Sequence, residues 1–303
     1  MATTSSPAAE CLHDLPAPAK LNLFLHITGQ RPDGYHLLQS VFMLIDWCDR
    51  IDLELRHDGV VVREDRSPCQ LPPDDLCVRA ARALQAATGC RLGATIRLSK
   101  QLPAEAGLGG GSSDAATCLI GLNRLWRLGL SRGALEAIGL GLGADVPFFI
   151  GGRNAWVEGV GEHLTPVRLP ESRFVVVKPQ AGASTARIFG SPALRRDTKT
   201  AILQGFAAND ADRSRSPPLL DLTRVLEGSH NDLEPVAQAL CPDIGDCIRW
   251  LESLGLQGRM TGSGSAVFAQ MRPGVNLPEP PGPWLVRQCS NMDAHPLLDW
   301  CSD

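Results

Sequence analysis

The chain has 303 residues, of which 44% are hydrophobic and 20% charged, and a formal charge of −4. That length suffices for two domains with a sizeable core, and the composition excludes a chain disordered throughout. The weak net charge, with no basic stripe interleaved with aromatics, argues against a nucleic-acid partner, and apolar runs such as Val41 to Ile45 and Phe174 to Val177 fall far short of the roughly 20 residues a membrane helix needs.

The opening MATTSSPAAE lacks the basic and apolar regions of a secretory signal, so a cytoplasmic protein is expected. In APAKLNLFLHIT, Leu21, Leu23, Leu25 and Ile27 alternate with Lys20, Asn22, Phe24 and His26, the period-2 pattern of a strand that points Lys20 and Asn22 the same way. A turn, GQRPDG, follows, and Val41 to Ile45 and Ile51 to Leu55 read as two further strands. Pro68, Pro72 and Pro73 mark a loop before DDLCVRAARALQAATG, a helix capped by Asp74 or Asp75 and stopped at Gly89.

Strand ATIRLS runs into PAEAGLGGGSSDAA, where Gly107, Gly109, Gly110 and Gly111 precede a helix expected from Ser113 to Trp126. Glycines weaken a fold unless something uses their open backbone. Successive N–H groups ahead of a helix N-terminus make a concave anion site, so a phosphate chain is the natural guest. The P-loop pattern fails, because Gly111 is followed by Ser112, Ser113 and Asp114, and GxGxxG fails at Ser112. Gly139-x-Gly141-x-x-Ala144 follows a helix rather than a strand, the wrong context for a dinucleotide turn, and no GxSxG elbow exists.

A helix is expected from Arg132 to Leu140, then strands at NAWVEG and FVVVKP, with a domain boundary near residue 160. Asp197 to Pro218 reads as a polar, irregular, mobile loop. Helices follow at Leu219 to Leu226, Asp232 to Leu240 and Asp243 to Leu254, with strands near Val267 and Trp284. The ten cysteines form no CxxC pair and are expected to be reduced thiols, and no metal-ligand spacing is present. Lysine is scarce: Lys20, Lys100, Lys178 and Lys199 are the only four.

The segments PAKLNLFLHITGQRPDGYH, LPAEAGLGGGSSDAA, LGADVPFFIGG and RMTGSGSAVF, in that order, resemble the GHMP kinases. The resemblance implies an α+β, two-domain GHMP kinase fold. Residues 1–160 would form an ATP-binding domain like ribosomal protein S5 domain 2, and residues 161–303 a ferredoxin-like domain contributing to the substrate cleft. It implies ATP and Mg2+ as cofactors. Pro103, Ala104, Glu105, Ala106, Gly107, Leu108, Gly109, Gly110, Gly111, Ser112 and Ser113 would wrap the phosphates, with Ser112 or Ser113 available to a phosphate oxygen or Mg2+. Asp145 would be the general base and Lys20 the positioning cation.

The small-molecule substrate implied is 4-diphosphocytidyl-2-C-methyl-D-erythritol, with Asn22, Tyr35, His36, Phe42, Thr185 and Phe189 around it and Tyr35 and Phe189 able to sandwich the pyrimidine. The Thr261 to Ser265 segment would close over the site. A homoserine- or mevalonate-type kinase and a silent nucleotide sensor are the alternatives.

On the residues alone, Asp145 is equally a turn or cap residue and Lys20 a solvated edge charge. Phe42 and Phe189 are equally core, Thr261 to Ser265 a hairpin turn and Asn231 a helix cap. Glu105 departs from the small residues usual in the loop and sets a carboxylate where phosphates are expected. The sequence does not reveal an oligomeric state.

Overall fold

The computed structural model describes residues 10–66, 71–208 and 217–303. The first nine residues, Pro68 and positions 209–216 of the expected polar loop lie outside the described residues. In chain order the strands are β1 (Cys11–Gln30), β2 (His36–Arg56), β3 (Val61–Asp65), β4 (Gly93–Ser99), β5 (Ala155–Glu158), β6 (His163–Pro166), β7 (Arg173–Lys178), β8 (Arg259–Met260), β9 (Val267–Gln270) and β10 (Leu285–Met292). The helices are α1 (Leu76–Thr88), α2 (Gly110–Leu125), α3 (Arg132–Leu140), α4 (Val146–Gly151), α5 (Thr185–Phe189), α6 (Leu222–Glu227), α7 (Glu234–Leu240) and α8 (Pro242–Ser253).

β1 and β2 form a long antiparallel hairpin whose turn closes through Arg31 N–H donating to the Tyr35 carbonyl at 2.7 Å, with Gly34 at φ 91°. The sheet runs β3-β4-β2-β10-β7-β9-β8, with β1 and β5 also on β2 and β6 on β5. Alternation along β2 places Phe42 and Leu44 in one core with α1, α2 and α4, and Val41, Met43 and Ile45 in a second with β7 and β9. Val175 and Val177 of β7 face a third core, built with Ile244, Ile248 and Leu251 of α8.

Several expectations are corrected. The two strands expected at Val41 to Ile45 and Ile51 to Leu55 are one, because the polar break at Asp46 to Arg50 keeps its pairing with β1 through Cys48, Asp49 and Arg50. β1 extends through Pro16 and Pro18, which a strand paired with β2 alone can carry. Its register slips between Asn22 and Leu25, and Phe24 joins Leu21 and Leu23 in one core while Leu25 and Ile27 enter another. The alternation expected from Lys20 to Ile27 therefore does not persist along the strand.

α2 starts at Gly110 instead of Ser113, since Gly109 in the left-handed conformation, φ 71°, supplies the N-cap. α6 starts at Leu222, where the Asp221 carboxylate accepts from Arg224 N–H at 3.2 Å, while Leu219 and Leu220 form bridges with Arg168 and Ala207. In the described part of the Asp197 to Pro218 stretch, Thr198 and Phe206 are buried at 7% and 8% exposure, while Ile202 is 70% exposed. α1, by contrast, has the expected ends: Asp75 accepts from Val78 N–H, and Gly89 is left-handed at φ 67°.

Candidate active site

The loop between β4 and α2 is tied down along its main chain on two sides. Lys20 N–H donates to the Leu108 carbonyl at 2.9 Å, and Ser265 and Ala266 N–H donate to the Glu105 and Ala106 carbonyls at 3.1 and 3.2 Å. Glu105, Gly107 and Gly109 all have positive φ, 50°, 74° and 71°. A side chain at Gly107 would put its Cβ 2.2 Å from the Thr261 carbonyl, and one at Gly109 would put it 2.9 Å from the Phe149 ring and 3.1 Å from Lys20 Cγ. Conformation and close approach thus both require glycine there. Gly110 opens a sixteen-residue helix, so the loop ends on unsatisfied N–H groups and the positive end of a helix dipole.

Beside this loop stands Lys20, its side chain 5% exposed, with Nζ 3.6 Å from Asp145 Oδ2 and 4.6 Å above the Phe42 ring. The ammonium also donates to Asn22 Oδ1. Burial lowers the Lys20 pKa, and the Asp145 carboxylate works against that shift. Asp145 precedes α4 in a right-handed helical conformation and makes no capping bond with its side chain, which is 31% exposed. Its carboxylate is thereby left for Lys20. Pro147 sits in the first turn of α4, where a missing N–H costs nothing, and Phe149 carries that helix onto Gly109.

Asn22 links the site to the hairpin between β8 and β9. Its N–H donates to Thr261 Oγ1 at 2.8 Å and its amide to Ser40 Oγ at 3.0 Å, while Asn231 donates to the Met260 and Gly262 carbonyls. The hairpin is a turn between strands, and it also packs on Gly107. Asn231 likewise accepts from Leu233 N–H at 3.0 Å, but the N-cap of α7 is Leu233 and no side chain caps that helix. A cleft of about 510 Å3 opens between Glu105 and Gly107, the start of α5, and Ser263 and Gly264. Larger cavities of about 840 and 860 Å3, behind α4 and beside β7, include no residue of the glycine loop, so size alone does not locate the site.

The expected substrate positions are distributed unevenly. Thr185 Oγ1 and Ser263 Oγ are hydrogen-bonded at 2.7 Å across the cleft. His36 packs against Phe189 with ring centroids 5.0 Å apart, and its Nε2 accepts from Arg196 Nε at 3.0 Å; burial and then Arg196 lower its pKa. Tyr35 is 64% exposed on the hairpin turn and makes no ring contact among the described residues, while Phe189 stacks on His36. Phe42 is 3% exposed, under Lys20 and edge-on to Phe148. Ser113 is fully buried, whereas Ser112 stays half-buried beside Gly143.

Sequence reasoning passed over a second polar group behind the loop. Lys100 Nζ contacts Asp49 and, at 2.7 Å, Asp114 Oδ2, and Asp49 Oδ1 accepts from the N–H groups of Gln101 and Leu102. Burial raises the Asp114 pKa to about 8, against the pull of Lys100 and with the help of Asp49. Burial opposes the Lys100 charge, and the two carboxylates more than offset it, so that its pKa is raised. The scarcity of lysine was the only signal for Lys100; Asp49 had none.

A glycine loop ending on a helix N-terminus beside a lysine–aspartate pair is the arrangement a kinase of small alcohols requires. Residues 75–153 match the family model for the GHMP kinases N terminal domain, and residues 218–273 that for the GHMP kinases C terminal. The chain belongs to the GHMP kinase family. Within it, a 4-diphosphocytidyl-2-C-methyl-D-erythritol kinase of Paracidovorax citrulli is 60% identical over 96% of this chain and 98% of its own length. One of Polaromonas naphthalenivorans is 59% identical over 98% of each. A crystal structure of 4-(cytidine 5'-diphospho)-2C-methyl-D-erythritol kinase, 31% identical, superposes with a TM-score of 0.69 over 92% of this chain and 99% of that one. This chain is a member of that 4-diphosphocytidyl-2-C-methyl-D-erythritol kinase branch. A mevalonate kinase at 12% identity, TM-score 0.67 over 93% and 99% of the two chains, shares the fold alone.

Proposed function

We propose that the chain transfers the γ-phosphoryl group of ATP to the 2-hydroxyl of 4-diphosphocytidyl-2-C-methyl-D-erythritol, a step in non-mevalonate isoprenoid precursor synthesis, in the cytoplasm. The observation that carries the chemistry is the Lys20–Asp145 pair at 3.6 Å beside a glycine loop that ends on a helix N-terminus. Asp145 accepts the hydroxyl proton as the substrate oxygen forms its bond to the γ-phosphorus and the bond from that phosphorus to the bridging oxygen breaks, releasing ADP. Lys20 holds the hydroxyl and Asp145 in line and offsets developing negative charge, an effect that gains strength where water is excluded.

The loop N–H groups from Gly107 to Ser112 hold the phosphates; the Ser113 N–H is already given to the Gly109 carbonyl at 2.9 Å. Among the described residues no cluster of three His, Cys, Asp or Glu side chains could cage a metal ion. The donors present suit Mg2+ carried in on ATP: the hydroxyl of Ser112, at the opening of α2, would hold it, and the ion supplies charge neutralisation on the phosphates. His36, Thr185 and Phe189 receive the cytidine side of the substrate, with Asn22 orienting it near Lys20. We assign residues 1–160 to the ATP-binding part and 161–303 to the part completing the substrate cleft, a division supported by family models that fall on either side of it.

The test is ADP release by the purified protein with Mg-ATP and either the cytidylated substrate or bare methylerythritol phosphate. Release with the cytidylated compound alone supports the assignment. Release with homoserine or mevalonate in its place, or with none of these despite ATP binding, overturns it.

A further inference from the structure

Behind the glycine loop, three buried titratable side chains join its two ends. Asp49, fully buried on β2, receives Gln101 N–H at 2.5 Å and Leu102 N–H at 2.8 Å on one oxygen and the Lys100 ammonium on the other. Lys100 in turn meets Asp114, 2% exposed, which lies one turn inside α2. Residues 100–102 lead into the loop and Asp114 follows it. The network therefore fixes the chain at both ends of a segment whose glycines would otherwise leave it many conformations.

We infer that Asp49, Lys100 and Asp114 act as a clamp that holds the glycine loop in its phosphate-binding shape, with Asp49 as the principal positioning residue. This rests on the proposed role of the loop in holding ATP. None of the three needs to touch the nucleotide. Their effect is preorganisation: the loop N–H groups are aimed before ATP arrives, and the ordering cost is met in the fold instead of on binding. Burial of the group explains why it works as a unit, since taking away one member leaves its partner's charge desolvated and unpaired. The Lys100 ammonium also lies 3.5 Å from the point where a Cβ on Gly110 would sit, so a shift of Lys100 is felt at the first residue of α2. The cytidine-side residues His36, Thr185 and Phe189 make no contact with this group among the described interactions, so the clamp should govern one ligand and leave the other alone.

Asp49→Asn tests this, because the asparagine keeps an oxygen for Gln101 and Leu102 N–H but turns an amide toward the Lys100 ammonium. Equilibrium binding of Mg-ATP and of the cytidylated substrate is measured separately by calorimetry, beside the thermal midpoint. The clamp predicts at least a tenfold rise in the Kd for ATP with the substrate Kd within twofold of wild type. Asp114→Asn, which keeps the Lys100–Asp49 pair, predicts a smaller rise of about threefold, again for ATP alone, and carries the test if Asp49→Asn does not fold. Asp49→Glu should restore part of the ATP affinity. An unchanged ATP Kd in the folded variants, or equal weakening of both ligands, overturns the inference. Binding requires no turnover, so a wild-type protein that binds ATP but releases no ADP would refute the proposed reaction and leave the clamp to be judged on its own readout.

Discussion

Replacing Gly109 with alanine adds one methyl group at the place where the loop, α4 and Lys20 meet. Two costs follow from the geometry. The backbone stands at φ 71°, a left-handed conformation that charges an alanine about 1 kcal/mol. The new Cβ would lie 2.9 and 3.0 Å from two atoms of the Phe149 ring and 3.1 Å from Lys20 Cγ, so side chains in a packed interior must shift, at about 1–3 kcal/mol. A stability loss of about 2–4 kcal/mol is expected in urea unfolding. Activity should suffer more than stability implies: moving the Lys20 stem displaces the ammonium from Asp145, and a misplacement near 1 Å can cost about a hundredfold. A coupled ADP assay should therefore show kcat down by about 10- to 100-fold. Gly133→Ala is the matched control. It sits inside α3 without positive φ, its Cβ would meet nothing within 4 Å, and alanine is the better helix former. Equal stability and kcat in the two variants would refute the steric reasoning.

Three further outcomes follow from the site and its surroundings. Glu105, left-handed at φ 50° and exposed in the cleft, should become more stable by about 0.5–1 kcal/mol as glycine, with a lower KM for ATP once its carboxylate is gone; an unchanged or raised KM would show that it does not repel the nucleotide. His295, 2% exposed, has its pKa lowered to about 4 from 6.5 by burial and then by Arg132. The unfolded chain thus binds a proton that the folded chain refuses, stability falls as pH drops below about 6.5, and His295→Gln should remove about 2 kcal/mol of the loss between pH 7 and 5 in urea titrations. Because the Lys20 pKa is lowered from 10.5, its charge is lost sooner as pH rises, so kcat/KM should decline below that pH and Lys20→Arg, if active, should move the decline upward.

The glycine loop was legible because its chemistry is local: a strand, a run of glycines and a helix start are contiguous, and the exclusion of other phosphate motifs needed only Ser112 and Asp114. Lys20 and Asn22 were legible as one face of a strand, and the Lys20 ammonium does meet Asn22. Asp145 was not separable from a cap residue until its side chain was seen to make no capping bond. What the pattern could not give was long-range. The continuity of β2 across Asp46 to Arg50 depends on Asp49 finding Lys100 and two N–H groups about fifty positions away. The stacking of His36 on Phe189 depends on Arg196, which holds the imidazole from a loop 160 residues distant. α4 was missed because six residues carry too few turns to show a period.

Lys20 and Asp145 should prove inseparable in function. The Lys20 ammonium is taken almost wholly out of water, and the groups that compensate are few: Asp145, the Asn22 oxygen and the face of Phe42. Asp145→Asn therefore does two things at once. It removes the proton acceptor, a loss of about 10²–10⁴ in kcat, and it removes the carboxylate that opposes the downward shift of the Lys20 pKa, so that the lysine is more readily neutral. Lys20→Met, in turn, leaves Asp145 with nothing to hold the substrate hydroxyl against it. Each single variant disables both parts. The double variant Lys20→Met with Asp145→Asn should accordingly lose about as much kcat as the worse single variant, instead of the product of the two losses. Multiplicative losses in the coupled ADP assay would mean that the two side chains act independently, and the pairing at 3.6 Å would then be incidental to the reaction.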